Sequence, residues 1–333
     1  MTPETYFILS DFMFLGYIKL MSFIERIKHF DAFLFNRYRL VLKPQELHIA
    51  INSDCNLNCS LCPREAIPAL PKNMPFDSFK KIFNIYDPEF VSLNFYNEPL
   101  LHPDISKFVN FLSKRGIFSS IETNGLLLTE SVSNALFKQG LGQLIVSIDA
   151  FSPEKYKIMR GGNLHTVIEN SIKAFEISKN YNTSMSVQFV LSNLNNDELE
   201  DFKSFWRQHR IDVKIKPVNS RAGLLHKKYI RKNPCFRTIS SIAVHTDGDL
   251  SPCCLDYSKK FIIGNIFSDS KTNIISNKRL TELRKKHFIG DFPDLCKNCD
   301  KDDFPKPLSS LLLLIPPYSL RWLARRFRNR ISI

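Results

Sequence analysis

The sequence predicts an α/β fold, namely a partial, TIM-like (β/α)6 barrel followed by a small cysteine-rich α+β domain. Three observations predict it. Short apolar runs alternate with amphipathic helical patterns along most of the chain, this alternation then gives way to a hairpin pattern, and the cysteines form two groups, one in each part. A doubly wound parallel sheet would show the same alternation and is the alternative for the first part.

The predicted barrel elements follow one another from residue 46 onward. Short apolar runs predict six strands, at Glu46–Asn52, Phe90–Tyr96, Phe118–Thr123, Gln143–Asp149, Ser184–Leu191 and Asp212–Val218. Apolar residues at helical spacing predict helices between them, at Ile105–Arg115, Thr129–Gln139, His165–Lys179 and Asp197–His209. Because strands alternate with helices, we expect the six strands to lie parallel.

Past the sixth strand the pattern changes to that of a small second domain. Ile239–His245 and Asp249–Cys253 flank an Asp247-Gly248 turn, which predicts a β-hairpin, and a helix is predicted near Asn277–His287. We therefore divide the chain into an N-terminal extension (1–45), the barrel (46–232), the cysteine-rich domain (233–304) and a basic amphipathic tail (305–333).

The composition predicts a globular protein of the cytoplasm. Hydrophobic residues make up 44% and charged residues 24% of the chain, which excludes disordered, collagen-like and low-complexity classes. No uncharged apolar run reaches the roughly 18 residues that a membrane-spanning helix needs. The apolar start contains Asp11 and lacks a cleavage signal, so we expect no signal peptide; Met21 is an alternative start, which leaves open whether residues 1–20 belong to the native chain.

The positive charge is concentrated in two segments. The formal net charge is +13, and Lys203–Lys232 holds ten Lys and Arg residues against one acid. Such a segment meets nucleic acid, anionic lipid or a phosphorylated substrate, or is simply solvated. The tail from Ile315 adds five arginines and no acid, with Leu320, Leu323 and Phe327 on one helical face. That helix either lies on an anionic membrane surface or docks on the barrel with a solvated basic side.

The first cysteine group, Cys55, Cys59 and Cys62, directly follows the first predicted strand. Clustered thiols in a reducing compartment favour metal binding over disulfides, because thiolate binds soft metals. Structural zinc sites and electron-transfer clusters use four protein ligands, so three cysteines at this spacing indicate a [4Fe–4S] cluster with one iron open to another ligand. Zinc at the three cysteines is the alternative.

The motifs that follow this group resemble those of the radical S-adenosylmethionine (radical SAM) superfamily. Tyr96-Asn-Glu-Pro99 ends the second predicted strand, where that family has a Gly-Gly-Glu-Pro-like motif. Glu122-Thr-Asn-Gly125 ends the third strand, and Val146-Ser-Ile-Asp149 ends the fourth, followed by Met159-Arg-Gly-Gly162. Each motif lies at the strand end where barrel enzymes place their active sites. The resemblance covers roughly residues 46–300.

The resemblance implies a cofactor and a role for each matching residue. It implies S-adenosylmethionine on the open iron, with Asn97-Glu98-Pro99 beside its methionine amino group. Ser147 and Arg160 match contacts to the ribose and the methionine carboxylate, and Gln188 on the fifth strand matches a contact to the nucleoside more weakly. In the family, a low-potential electron cleaves S-adenosylmethionine, and the resulting 5′-deoxyadenosyl radical abstracts hydrogen from the substrate.

Two positions depart from the family pattern. Tyr96-Asn97 replaces the double glycine, so the backbone approaches the methionine less closely. Leu61 precedes the last cysteine, where the family often has an aromatic residue that packs on adenine. Neither change removes a cluster ligand.

The second cysteine group consists of Cys235, Cys253, Cys254, Cys296 and Cys299. With the surrounding Thr246–Cys254 and Ile263–Ile266 it resembles the SPASM or shorter twitch domain of radical SAM enzymes, and the count of thiols favours one auxiliary [4Fe–4S] cluster. The resemblance makes Cys253, which follows a proline, the fourth ligand beside Cys235, Cys296 and Cys299. Cys254 is then a buried small residue, a hydrogen-atom donor or an alternate ligand. A zinc ribbon is the alternative for the group.

Together these expectations describe a radical SAM oxidoreductase that oxidises an alcohol of a small polar, sugar- or aminocyclitol-like substrate, with the auxiliary cluster accepting the electron. Its partners would be that substrate and an electron donor such as flavodoxin or ferredoxin, and the tail would add a peripheral membrane contact. The alternatives are an epimerase, an enzyme that modifies a peptide or RNA, and a non-catalytic zinc or iron–sulfur module. We expect no nucleic-acid partner, although Lys203–Lys232 keeps the RNA alternative open.

Overall fold

A single mixed sheet organises the molecule in the computed structural model, which describes residues 44–301. Its strands are β1 (Glu46–Ile49), β2 (Phe90–Ser92), β3 (Phe118–Thr123), β4 (Gln143–Ser147), β5 (Ser184–Leu191), β6 (Asp212–Pro217), β7 (Ser241–Val244), β8 (Asp249–Ser251) and β9 (Gly264–Asn265). The order across the sheet is β6-β5-β4-β3-β2-β1-β7-β8-β9. Strands β1 to β6 are all parallel to their neighbours, which confirms the predicted α/β class.

Helices connect the parallel strands. They are α1 (Phe76–Ile85), α2 (Ile105–Lys114), α3 (Glu130–Lys138), α4 (Pro153–Met159), α5 (Leu164–Ser178), α6 (Leu199–Gln208), α7 (Arg237–Ser240), α8 (Lys271–Ile275), α9 (Lys278–Ile289) and α10 (Asp294–Lys297). Single 3-10 turns lie at Arg64–Ala66, Pro99–Leu101 and Asn196–Glu198. The sequence predicted α2, α3, α5, α6 and α9, but not α1, α4, α7, α8 or α10; the strand predicted from Ile239 begins two residues later because α7 includes Ile239 and Ser240.

Side-chain caps explain where several helices begin. The Thr129 hydroxyl accepts the N–H of Val132 at the start of α3, and the Asn163 side chain accepts the N–H of Thr166 at the start of α5. Such caps satisfy backbone donors that have no partner within the helix. Thr129, taken as helical from its apolar spacing, is therefore the residue that precedes the helix.

Strands β1, β2 and β4 end several residues before the apolar pattern predicts. Beyond each end the chain leaves the ladder, and its polar side chains bond to neighbouring loops. The Asn52 amide, for example, donates to the Glu98 carbonyl oxygen at 3.0 Å. The predicted ends of β3 and β5 agree with the structure, because there the strand pairing continues to the last predicted residues, Thr123 and Leu191.

The hairpin of the cysteine-rich part continues the barrel sheet. Strand β7 pairs in parallel with β1, with Leu47 opposite Ile242, and β8 and β9 follow in antiparallel register. Strand β1 therefore lies between β2 and β7. The sequence predicts the hairpin, since its turn is local, but not this pairing, which joins segments almost 200 residues apart.

Apolar side chains on one face of the sheet form the main core together with the helices that cover it, whereas polar side chains that line a cavity lie on the other face. Leu47, Val91, Ile121 and Val146 are fully buried on successive strands. Against them, α1 and α2 pack a group of aromatic rings in which the centroids of Phe79 and Phe108 lie 4.5 Å apart. Burying one such side chain fully is worth about 1.5–3 kcal/mol. This core fixes the carboxyl ends of the strands, where the polar residues collect.

Within residues 44–301, no helix has the length and apolarity needed to cross a membrane. The predicted membrane contact of the tail lies outside the described residues, as does almost all of the N-terminal extension with the alternative start.

Candidate active site

A cavity of about 190 Å³ opens at the carboxyl ends of the parallel strands, where α/β barrels place their active sites. All three cysteines of the first group line it. Its polar wall includes Asn97, Glu98, Glu122, Ser147, Asp149, Arg160, Gln188, Arg221 and Tyr257. Of the residues predicted for the first site, Pro99 is absent from this lining; it begins a 3-10 turn behind the cavity.

The loop that carries the first cysteines is held from both sides. The Arg64 guanidinium donates to the carbonyl oxygens of Ser53 (2.9 Å) and Tyr96 (3.3 Å). On the other side, the Ser60 N–H donates to the Met159 carbonyl at 3.0 Å. Backbone bonds to two distant segments therefore position the loop without using a cysteine sulfur, which leaves the thiols available as ligands.

The three thiols fit a cluster of iron and sulfur. Burial raises the pKa of Cys55, Cys59 and Cys62, whereas Arg160 opposes the rise at Cys59 and Arg221 opposes it at Cys62. Cations beside thiols favour the thiolates that bind iron. Among the described residues, no three Cys, His, Asp or Glu side chains gather closely enough for a single metal ion. A cluster does not require this, since each cysteine binds a different iron.

Glu98 fastens the loop after β2 to the end of β3. Its carboxylate accepts hydrogen bonds from the Thr123 hydroxyl (2.6 Å), the Asn124 N–H (2.8 Å) and the Leu100 N–H (3.2 Å). Burial raises the pKa of Glu98 above its usual range, and these donors oppose the rise. Both oxygens are thus occupied by protein groups, although the residue was predicted to lie beside the methionine amino group.

Asn97 is held at the cavity wall by two hydrogen bonds. Its amide nitrogen donates to the side-chain oxygen of Asn52, and its own side-chain oxygen accepts the Phe95 N–H at 2.9 Å. This pairing keeps the loop in shape where the family has a double glycine.

Ser147, Gln188 and Glu122 form one hydrogen-bonded group at the ends of β4, β5 and β3. The Ser147 hydroxyl donates to Glu122 at 3.0 Å, and the Gln188 amide donates to both Glu122 and the Ser147 oxygen. Burial raises the pKa of Glu122, but Lys216 and these donors outweigh it, and the pKa lies below its usual range. The Gln188 carbonyl oxygen is buried without a partner among the described residues. The group offers acceptors suited to ribose hydroxyls.

Arg160 is paired inside the protein. Its guanidinium lies 3.1 Å from the Asp149 carboxylate and donates to the Ser147 carbonyl at 2.5 Å. Asp149 has a positive φ of 65° and also accepts the Val190 N–H at 2.7 Å. Burial lowers the pKa of Arg160, but Asp149 and the other acidic neighbours together outweigh burial and raise it, so the arginine stays charged. Its Nε is buried without a partner among the described residues.

Sequence reasoning gave no role to several polar residues of the cavity, among them Glu122, Asp149, Arg221 and Tyr257. Glu122 and Asp149 stand in the quoted motifs but were given no role. Arg221 is one of the ten cations of Lys203–Lys232, and its uncharged neighbours are the one sequence feature that distinguishes it from most of the others. Tyr257 follows the second cysteine group closely, and its hydroxyl accepts a hydrogen bond from Arg221 at 3.2 Å. Proximity to the cysteines was the one available signal for it.

The basic segment Lys203–Lys232 does not form one continuous surface. Arg221 points into the cavity, Arg231 is buried, and Lys216 lies 3.7 Å from Glu122. Lys203 pairs with Glu200 at 2.7 Å. Several of the charges counted in the sequence are therefore used inside the fold.

The second cysteine group surrounds a buried arginine. The Arg231 guanidinium donates to the carbonyl oxygens of Cys296 and Lys301, and Cys235, Cys299 and Cys296 contribute to raising its pKa against the effect of burial. Burial raises the pKa of Cys296 to about 12. Thiols gathered about a cation suit an anionic cluster.

Cys253 and Cys254 are adjacent in the sequence, but their thiols contact different groups. A hydrogen bond with Cys254, then burial, raises the pKa of Cys253, which packs in the apolar group that contains Cys299 and Tyr257. Cys254 accepts a hydrogen bond from the Arg237 guanidinium at 3.3 Å. Cys254 is not among the residues that line the cavity, so the structure does not place it beside a substrate there. Its role as a hydrogen donor stays a prediction.

A parallel α/β sheet with three cysteines at the carboxyl ends of its strands is typical of iron–sulfur enzymes with a barrel fold. Residues 49–205 match the radical SAM superfamily, and residues 235–300 match the iron–sulfur cluster-binding domain SPASM. The chain belongs to the radical SAM superfamily and carries a SPASM domain. It is thus a radical SAM enzyme, which sets aside the non-catalytic module.

Among curated relatives, the GTP 3',8-cyclase of Limosilactobacillus fermentum is 33% identical over 204 residues, covering 57% of this chain and 60% of that protein. Human Molybdenum cofactor biosynthesis protein 1 is 29% identical over 199 residues, covering 57% of this chain and 30% of that protein. This chain therefore spans no more than 60% of the length of either relative.

Solved structures share the fold at low identity. BtrN in complex with AdoMet and 2-DOIA has a TM-score of 0.56 at 21% identity, covering 78% of this chain and 93% of that one. Streptococcus suis SuiB bound to precursor peptide SuiA has a TM-score of 0.64 at 15% identity, covering 83% of this chain and 74% of that one. The two domains imply an S-adenosylmethionine-binding [4Fe–4S] cluster, an auxiliary cluster and S-adenosylmethionine.

Proposed function

We propose that this radical SAM enzyme is an oxidoreductase that removes hydrogen from an alcohol carbon of a small polar, sugar- or aminocyclitol-like substrate. Cys55, Cys59 and Cys62 would hold the S-adenosylmethionine-binding cluster. Cys235, Cys253, Cys296 and Cys299 would hold the auxiliary one. A flavodoxin- or ferredoxin-like protein would supply electrons.

One observation carries the proposal: Tyr257 joins the cavity to the second cysteine group. Burial raises the pKa of this tyrosine to about 12, and Cys254, Cys62 and Cys253 are all near enough to add to the rise. The same side chain lines the cavity. A substrate in the cavity would therefore lie between the two cysteine groups, which suits the transfer of an electron from substrate to auxiliary cluster.

The protein residues would orient S-adenosylmethionine and exclude water. Ser147, Gln188 and Glu122 would hold the ribose hydroxyls, and Arg160, through its unpartnered Nε, would meet the methionine carboxylate. When bound, the cluster supplies the electron that cleaves S-adenosylmethionine to a hydrogen-abstracting radical. Holding the reactants in one geometry favours abstraction from a single substrate carbon.

The polarity of the cavity supports a polar substrate. Carboxylates, amides and arginines line it, and these groups suit a molecule rich in hydroxyl groups. The complex of BtrN with 2-DOIA is consistent with this choice, although its low identity speaks for the fold alone.

A second candidate is cyclisation of a nucleotide, because the curated relatives include GTP 3',8-cyclases at up to 33% identity. Such a reaction does not oxidise the substrate. The two candidates therefore differ in whether the product has two hydrogen atoms fewer than the substrate.

The test is product analysis with the anaerobically reconstituted protein, a chemical reductant, S-adenosylmethionine and, separately, a sugar and aminocyclitol panel or GTP. We expect 5′-deoxyadenosine from the native chain and none from Cys59→Ser. Asn58→Ser, an exposed position in the same loop, is the matched control and should form 5′-deoxyadenosine like the native chain.

For the oxidation itself, Cys299→Ser should still cleave S-adenosylmethionine but lose the oxidised product, because only the auxiliary cluster is affected. A cyclised, unoxidised product from GTP would replace the oxidoreductase proposal by the second candidate.

A further inference from the structure

Arg221 stands apart among the charged side chains of the cavity. Its one side-chain hydrogen bond among the described residues goes to the neutral hydroxyl of Tyr257. Within residues 44–301, no carboxylate oxygen lies within ion-pair distance of its guanidinium, and its Nε is buried without a partner. Arg221 is half-buried, and a buried donor such as its Nε is costly unless an acceptor completes it.

The other charges of the cavity already have partners. Asp149 is paired with Arg160, Glu122 accepts from Ser147 and Gln188, and Glu98 accepts from three donors of its own neighbourhood. None of these carboxylates accepts a hydrogen bond from Arg221, although Glu122 and the Cys62 thiol are near enough to interact with its charge. The unused donors of Arg221 are therefore available to a ligand in the cavity.

The backbone at Arg221 is held in an unusual conformation. Arg221 and Ala222 both have positive φ, 49° and 56°, which residues other than glycine rarely adopt. Asp300 holds this turn by accepting the Ser220 N–H on both carboxylate oxygens, at 2.8 and 2.9 Å. Such strain persists only where surrounding contacts determine it, and it collects at functional sites.

We propose that Arg221 binds an anionic group of the substrate, a carboxylate or a phosphate, and so selects a sugar acid or sugar phosphate over a neutral sugar or a cationic aminocyclitol. This inference rests on the proposed function, because it places the substrate in the same cavity. Tyr257 is a positioning residue here: its hydroxyl takes one donor of Arg221 and turns the others toward the ligand. The geometry at Arg221 suits oxyanions, which a guanidinium binds through paired hydrogen bonds.

The same chemistry has a second possible source, the methionine carboxylate of S-adenosylmethionine. Two titrations separate the sources. S-Adenosylmethionine is titrated into the holoprotein, and inorganic phosphate and malonate are then titrated into the S-adenosylmethionine-loaded holoprotein, both by calorimetry. The variants are Arg221→Gln and Arg221→Lys, with Arg279→Gln as a control that removes an exposed cation beside Phe261, outside the cavity.

We expect phosphate or malonate to bind the loaded native protein and the Arg279→Gln control alike. Arg221→Gln should weaken that binding by about tenfold or more, as expected for loss of hydrogen bonds to a charged group, with Arg221→Lys in between. S-Adenosylmethionine affinity should change little in all variants. Iron content and circular dichroism confirm that each variant is folded and loaded.

Two results would overturn the inference. If Arg221→Gln weakens S-adenosylmethionine binding instead, the anion that Arg221 binds is the methionine carboxylate. If neither phosphate nor malonate binds, or if both Arg221 variants bind them as the native protein does, Arg221 does not bind a substrate anion. Formation of 5′-deoxyadenosine by the reduced protein is measured in parallel. It reports on the proposed radical chemistry independently of anion binding.

Discussion

At the scale of single residues, the site depends on buried acids whose partners are protein groups. Glu98 is the clearest case, because it ties the loop after β2 to the end of β3 through three donors. The sequence motif predicted Glu98 only as part of the loop beside the methionine amino group. The structure shows a positioning role that no local pattern reveals, since Thr123 and Asn124 meet Glu98 only in the fold.

Glu98→Gln should lower the free energy of unfolding by about 1–3 kcal/mol, because one oxygen becomes an NH₂ group facing a donor. Urea denaturation measures this. Glu65→Gln, an exposed acid of the cysteine loop, is the matched control and should change stability by less than about 0.5 kcal/mol. Equal effects in both variants would contradict the anchoring role.

A second residue-scale prediction concerns the aromatic core. Phe79→Ala removes a fully buried ring that stacks on Phe108, and should cost about 3–5 kcal/mol of unfolding free energy. Ile158→Ala, at a side chain that is 70% exposed, should have little effect. Thermal and urea unfolding of the two variants would decide; a loss below about 1 kcal/mol for Phe79→Ala would count against this packing.

At the scale of elements, the sequence predicted features that depend on local chemistry better than features that depend on contacts between distant segments. Helices with a clear apolar spacing and a capping residue, such as α3 behind Thr129, were found from the sequence. Helix α4 was missed because its seven residues are too short for a periodic pattern. The early ends of β1, β2 and β4 were missed because polar side chains there bond across loops, which apolar patterning does not register.

The end of β7 gives a pH prediction at this scale. Burial, then Lys259, lowers the pKa of His245 to about 4, and its Nε2 lies 2.8 Å from the Ser251 hydroxyl. Between pH 6.5 and about pH 4, His245 is protonated in the unfolded chain but neutral in the folded chain. The stability contributed by a neutral His245 is therefore full above 6.5 and is lost as the pH falls toward 4.

The expected loss is up to about 1.4 kcal/mol per pH unit in that window. Urea midpoints near neutral pH and near pH 5 measure it. His245→Asn should flatten this part of the pH dependence, whereas a variant with an unchanged slope would show that His245 is not the titrating group.

At the scale of the whole molecule, the segment that follows β6 connects the cavity, through Arg221, to the second cysteine group. Ser220 bonds to Asp300, the Arg231 N–H donates to the Lys297 carbonyl at 2.8 Å, and Asn298 donates to the Tyr229 carbonyl at 2.9 Å. The sequence predicted each cysteine group from its spacing. It did not predict this connection, because Arg221 and its neighbours look like any basic loop.

Removal of iron by a chelator should therefore loosen this segment as well as the second cysteine group. We expect faster tryptic cleavage at the exposed Lys227 and Lys228 in the metal-free protein than in the reconstituted one. Cleavage after the exposed Lys138 at the end of α3 serves as the internal control and should change less. Equal acceleration at both places would indicate global unfolding instead.

The position of β1 between β2 and β7 has a consequence for synthesis. During translation β1 emerges early, yet one of its two neighbours is made only after almost 200 further residues. Until then β1 is an open edge, which is a template for aggregation, and pairing over such a distance is slow. A fragment ending at residue 232 would keep this open edge permanently. The cysteine-rich part is therefore a component of barrel assembly, and a truncated barrel should be recovered mainly as aggregate.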